Sequence, residues 1–211
     1  TAFASQREDR PARPAAARAA ERAGAIVLAR HGEPALHRGV KLDADGYRRW
    51  WARYEEGGLL CGQQPPEALI EVAKRAGVCF ASVRPRSIQT AAALREQGQY
   101  HSDPLFVEAP LPPPPWPKWV RLSPRAWGVV ARLAWWFFNH NEGQETRKDA
   151  ERRASAAAAR LAEAAEAGQD VLVVAHGFFN AMIGRELRRL GWRRRSSQGY
   201  RYWCAQRFER A

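Results

Sequence analysis

Three short, unbroken apolar runs stand out along the chain: 24–32 (GAIVLARHG), 78–83 (VCFASV) and 170–177 (DVLVVAHG). Continuous runs of this length predict strands buried on both faces, not strands with one wet side. Two of them end on His-Gly, so each leads into a loop. Between the runs lie stretches with helix punctuation. Segment 65–77 (PPEALIEVAKRAG) opens on Pro, carries Glu67 in its first turn and stops at Gly77. Segment 85–98 (PRSIQTAAALREQG) has Pro near its first position and Gly as its stop. Segment 125–140 (RAWGVVARLAWWFFNH) predicts an aromatic helix. A long Ala-rich helix is expected over 145–167, ending before Gly168, and another over 178–190, ended by Gly191. Residues 104–107 are strand-like, 110–117 (PLPPPPWP) form an extended polyproline-type loop, and 200–208 alternate weakly as a last strand. Strands alternating with helices give an α/β class: a three-layer sandwich, its central sheet mostly parallel, with helices on both faces. No repeat of solenoid period is present.

The 211 residues suit one domain with a full core, expected over 25–211, preceded by an Ala/Arg/Pro-rich tail over 1–24. That tail predicts a solvated segment running into a short helix, and it lacks the apolar stretch of a secretory signal. Lys and Arg number 34 against 22 Asp and Glu, a formal charge of +12. A basic balance suits nucleic acid, an anionic membrane surface or a phosphorylated small substrate, and charge alone favours none of these over a solvated basic surface. Three scattered cysteines (Cys61, Cys79, Cys204) form neither a disulfide framework nor a metal motif, so a reduced, cytoplasmic setting is expected. No run is long enough to span a bilayer.

In an open α/β sheet, ligands bind beyond the carboxyl ends of the strands. Here those ends carry Arg30-His31-Gly32-Glu33, then Ser82 leading to Arg84 and Arg86, then His176-Gly177. Two histidines and at least two arginines should therefore meet at one sheet edge. Arginine forks and nearby helix N-termini suit phosphate oxygens. A neutral imidazole in such a pocket is a good nucleophile toward phosphorus. The bland alternative is that His31 and His176 are buried, hydrogen-bonded histidines. Two at equivalent strand ends with arginines beside them favour the phosphate site.

At this point the chain resembles a known family. Residues 26–33 (IVLARHGE), 80–91 (FASVRPRSIQTA), 104–108 (PLFVE), 144–154 (QETRKDAERRA) and 171–177 (VLVVAHG) resemble, in order, five blocks of the histidine phosphatase superfamily, with its phosphoglycerate-mutase-like fold. The resemblance implies roles. His31 would be the nucleophile that becomes phosphohistidine. Arg30, Arg86 and His176 would hold the transferring phosphoryl group. Glu108 would protonate the leaving oxygen and then activate water. Without the resemblance, Glu108 reads as a surface carboxylate in a proline-rich loop. The resemblance implies no cofactor and no metal. Arg84, His37, Lys41 and Gly177 are the candidate substrate-binding positions, although a solvated loop is the commoner home for a His37 or Lys41. Pro34 and His37 depart from the family pattern where Thr or Ser and Asn are usual. Alignment on Gln89-Thr90-Ala91 favours Arg86 over Arg84 as the phosphate ligand.

The aromatic stretch 127–138 is expected to be core plus a lid over the site, joined by Trp116 and Trp119. Lining an apolar pocket or docking on a membrane surface are its other readings. Arg193, Arg194 and Arg195, near Tyr200, Tyr202 and Trp203, are expected in a solvated basic loop, not a nucleic-acid patch. His101 and His140 are expected at the surface. The resulting expectation is a phosphomonoesterase acting on a phosphorylated small molecule through phosphohistidine, with no specific nucleic-acid partner. The alternatives are a phosphomutase, a non-catalytic phosphate-ligand or partner-binding protein of the same fold, and an RNA-binding module. Neither the substrate (sugar phosphate, nucleotide, phosphoprotein or lipid phosphate) nor the oligomeric state is specified by the residues.

Overall fold

A computed structural model of the chain describes residues 23–95 and 98–211, so most of the expected 1–24 tail lies outside the described residues. The three apolar runs become β1 (Ile26–Arg30), β2 (Val78–Ala81) and β4 (Val171–Ala175). They pair in parallel, with β4 between β1 and β2, and Leu28 stands opposite Val173. A two-residue strand β3 (His101–Ser102) adds in parallel beyond β2. On the other side β6 (Ala205–Arg210) pairs antiparallel with β1, and β5 (Trp192–Ser197) pairs antiparallel with β6. The order β3-β2-β4-β1-β6-β5 is thus a mostly parallel sheet closed by an antiparallel hairpin.

Period-two alternation along the strands separates two cores. Ile26, Leu28, Val171 and Val173 face one helical layer. That layer is α5 (Arg147–Glu166) and α6 (Gly177–Arg189), which bring Ala154, Ala158, Leu161, Phe179 and Ile183. Val27, Ala29, Leu172 and Val174 face α2 (Glu67–Arg75) and α3 (Pro85–Leu94) through Leu69, Ala73 and Ala91. Both faces are covered, which is why the strand sequences show no polar alternation. On α5 the buried positions are nearly all Ala, and the helix packs close, chiefly against α6.

A third cluster lies apart from these two. Helix α1 (Ala44–Glu56), capped by Asp43 accepting from the Gly46 N–H at 2.7 Å, packs Tyr47, Trp50 and Tyr54 against Trp127 and Ala131 of α4 (Pro124–Phe138). The indole N–H groups join the segments: Trp50 donates to the His37 carbonyl, Trp127 to Leu42 and Trp135 to Glu145. The aromatic stretch divides by helical phase. Trp127, Ala131 and Trp135 are buried, while Val129, Leu133, Phe137 and Phe138 are exposed.

Three local expectations are corrected. Residues 104–107 do not form a strand: Asp103 caps a 3-10 turn over Pro104–Phe106, its carboxylate accepting from the Leu105 N–H, and the strand lies just before it. Arg193 to Arg195 are not in a loop but on β5, an edge strand with a bulge between Arg194 and Ser196. An edge strand exposed to water has no apolar face to show, and charged residues protect it from pairing with other chains. The last strand begins at Ala205, because 200–204 turn over the end of β1, where Cys204 accepts from the Arg30 N–H at 2.9 Å.

Candidate active site

The ladder between β1 and β4 continues one residue past β1, the His31 N–H donating to Ala175 at 3.0 Å. The Ser82 N–H donates to Val174 in the same way from β2. His31, Ser82 and His176 therefore stand side by side at the carboxyl edge. The two imidazole rings meet edge to face with centroids 5.1 Å apart. Both histidines are buried.

The network assigns their tautomers. The Gly32 carbonyl can only accept, so His31 Nδ1 carries the proton and donates to it at 2.7 Å. Arg86 Nε donates to His31 Nε2 at 3.3 Å, which leaves a lone pair on that nitrogen. Guanidinium has no acceptor, so His176 Nδ1 receives Arg86 Nη2 at 3.4 Å and His176 Nε2 donates to Ser82 Oγ at 2.9 Å. Burial first, then the charges of Arg86 and Arg30, hold the His31 pKa well below the ordinary histidine value. His176 is held low by burial, Arg86 and His31. Both rings are thus neutral, and His31 Nε2 is unprotonated, its lone pair accepting from Arg86.

Arg86 enters this position from the first turn of α3 and is itself buried. It donates to the Tyr54 carbonyl at 2.9 Å and to Glu55 at 2.7 Å, and its guanidinium stacks on the Tyr54 ring. Arg30 donates to the Tyr200 carbonyl and lies 4.4 Å from the centroid of the Tyr202 ring. Gly32 sits so close to Trp203 that a Cβ there would fall 2.5 Å from the indole.

Glu108 approaches from the far side of the sheet. Its carboxylate accepts from the backbone of Phe178 and Phe179, at the N-terminus of α6, and from Ala109. Arg132 lies 3.9 Å from it, its guanidinium 3.6 Å from the centroid of the Phe178 ring. A cavity of about 490 Å³ joins these groups, with His31, His176, Arg86 and Glu108 at its base and Tyr47, Trp51, Arg125, Val129, Arg132 and Leu133 on the lid side. Five arginines (Arg30, Arg38, Arg86, Arg125, Arg132) and one carboxylate line it, an environment suited to a dianionic phosphate. Among the described residues no group of three or more His, Cys, Asp or Glu could hold a metal ion.

The sequence model of the family described as Histidine phosphatase superfamily (branch 1) matches residues 26–204. The chain belongs to this superfamily. No curated protein matches it. Among solved structures it is similar to the mycobacterial glucosyl-3-phosphoglycerate phosphatase in complex with VO3, at 22% identity and a TM-score of 0.51, covering 80% of this chain and 83% of that one. It is also similar to a mutant phosphoserine phosphatase from Entamoeba histolytica in complex with phosphoserine, at 14% identity and a TM-score of 0.52, covering 79% and 80%. At these identities the likeness is one of fold.

Within this superfamily fold, His31, Arg30, Arg86, Glu108, His176 and Gly177 all line the one cavity. Arg84 does not: it pairs with the second oxygen of Glu55 at 2.6 Å and borders an adjoining recess that shares Glu108. His37 is exposed and lines a separate hollow with Pro34, while its neighbour Arg38 reaches the cavity. Lys41 is exposed and outside the cavity wall. His101 is exposed; His140 is half-buried and bonded to the Pro113 carbonyl. Sequence reasoning missed Tyr54, Glu55, Arg38 and Arg132. A usable signal for the first two existed, since an acid following an aromatic face on the 44–56 helix would suit a buried arginine.

Proposed function

We propose that the chain is a phosphomonoesterase that works through a phosphohistidine on His31. The observation that carries this reading is the unprotonated Nε2 of His31, held by Arg86 Nε in a cavity that also holds Glu108. The Nε2 lone pair attacks phosphorus in line with the ester oxygen. A P–N bond forms, the P–O ester bond breaks, and Glu108 gives a proton to the departing alkoxide, a poor leaving group at neutral pH. Arg86 Nε turns from the imidazole and His176 Nε2–H from Ser82 Oγ, each to a phosphoryl oxygen, and Arg30 binds the third, stabilising spread charge as phosphoryl transfer requires. In the second step Glu108 takes a proton from water, whose oxygen attacks phosphorus. The P–N bond breaks, releasing inorganic phosphate and the neutral imidazole.

The hydrogen bond from Nδ1 to Gly32 supports the role of Nε2, because it keeps the ring oriented and its second nitrogen protonated. The substrate class is a phosphorylated small molecule, and the one catalytic unit covers 25–211. Three free thiols accord with a cytoplasmic setting, the buried Cys79 having its pKa pushed up to about 12 by desolvation. His31→Ala tests the reading. Turnover of an aryl phosphate should fall roughly a thousandfold or more with the melting temperature retained. The native protein should trap a phosphoryl label that is stable in base and lost in acid. Unchanged turnover, or label on another residue, refutes it.

A further inference from the structure

From Glu108 to Glu142 the chain carries no carboxylate, while Lys118, Arg121, Arg125 and Arg132 fall within that span. This span builds the lid. Its helix α4 turns Trp127, Ala131 and Trp135 inward, and its outer face repeats every fourth residue as Arg125, Val129, Leu133 and Phe137. These apolar groups are wet: Val129 is 61% exposed, Phe137 69%, and Phe138 beside it 82%. Trp119, just ahead of the helix, is 81% exposed. Leu133 and Val129 also border the cavity, so the apolar stripe and the cavity rim are one surface.

We propose that this outer face of the lid docks on an anionic lipid surface. A helix about 22 Å long can lie flat in the interface, with Phe137, Phe138, Leu133 and Trp119 below the headgroups. Lys118, Arg121 and Arg125 then meet lipid phosphates, and no carboxylate in the span opposes them. A second copy is the poorer occupant, because two-fold pairing of this face would set the same cations against one another. Among the described residues no helix is long and apolar enough to cross a membrane, so the contact is peripheral. Docked this way, the cavity rim lies at headgroup level. The proposal does not depend on the reaction assigned to His31.

The test is co-sedimentation of the full chain with phosphatidylcholine vesicles, with or without about one-third phosphatidylglycerol. Binding should be about tenfold stronger to the anionic vesicles and should weaken with salt. The double variant Phe137→Ser, Phe138→Ser should lose about tenfold in binding while its melting temperature stays near that of the native chain. Should that variant melt early, Trp119→Ala serves in its place, with loss of the vesicle-induced blue shift as a second readout. Arg121→Glu should weaken binding, and Arg193→Glu on the edge strand should not. Failure to sediment with anionic vesicles overturns the proposal, as does undiminished binding by the lid variants. Equal loss in Arg193→Glu would mean bulk charge alone, and a native dimer made monomeric by the Phe variants would mean self-association; either result also overturns it.

Discussion

Glu55 grips two arginines at once, one oxygen 2.7 Å from Arg86 Nη2 and the other 2.6 Å from Arg84 Nε. Arg86 is buried and Glu55 nearly so, whereas Arg84 is 37% exposed. The Arg86 contact therefore matters for stability and the Arg84 contact little. Glu55→Ala should cost about 3 kcal/mol in a denaturant melt, because it strands a buried guanidinium. Glu55→Gln, which keeps an acceptor, should cost less and retain more turnover. Equal costs for the two variants would show that acceptance at Glu55 does not orient Arg86.

Glu108 meets α6 through backbone N–H groups, a set of contacts an amide oxygen can partly keep. Glu108→Gln should therefore fold well. It should slow esters of poor leaving groups by about a hundredfold and those of good ones much less. Equal slowing across a leaving-group series would remove the proton-donor role.

Burial and neighbouring guanidinium charges hold both cavity histidines, His31 and His176, below the ordinary value of 6.5. Below about pH 6.5 the unfolded chain binds more protons than the folded one, so stability should fall as the pH drops through that point and hold above it. Chemical denaturation across pH 5 to 8, roughly the range over which a histidine charges, reads this directly. If His31 is the nucleophile, as proposed, the acid limb of kcat/KM should lie below 6.5, since its ring stays neutral there. An acid limb above 6.5 would contradict the burial argument.

At Gly32 a Cβ would fall 2.5 Å from Trp203 Cζ2, and Trp203 in turn donates to Gln63 at 2.9 Å. Gly32→Ala should displace the indole, cost about 1–3 kcal/mol and lower turnover, because His31 Nδ1 is held by the carbonyl of this same residue. A crystal structure of the variant with Trp203 unmoved would dismiss this account.

The strands and the order of the chemical groups were legible without coordinates. β1, β2 and β4 are buried on both faces, so each shows as a continuous apolar run whose end can be read off. His31 and His176 could be set at one edge from that alone. β5 and α1 were not legible. β5 is an exposed edge whose residues Arg193 to Ser197 meet water, and the buried face of α1 packs on the lid instead of the sheet.

What local pattern determined, then, is the alternation of layers, the sheet edge where the site forms and the nitrogen-rich groups that reach it. The partnership of Arg86 and Arg84 with Glu55, the burial of Arg86 and the exclusion of Arg84, Lys41 and His37 from the cavity were decided only by tertiary structure. Arg86 and Arg84 lie two residues apart at one helix start, and their sequence neighbourhoods are nearly the same. What separates them is Tyr54, some thirty residues away, whose carbonyl and ring hold Arg86, while Glu55 pairs with both. Contacts across such separations leave no period in the chain, because they depend on how α1 lies over the sheet edge and not on which side of its own helix a residue falls.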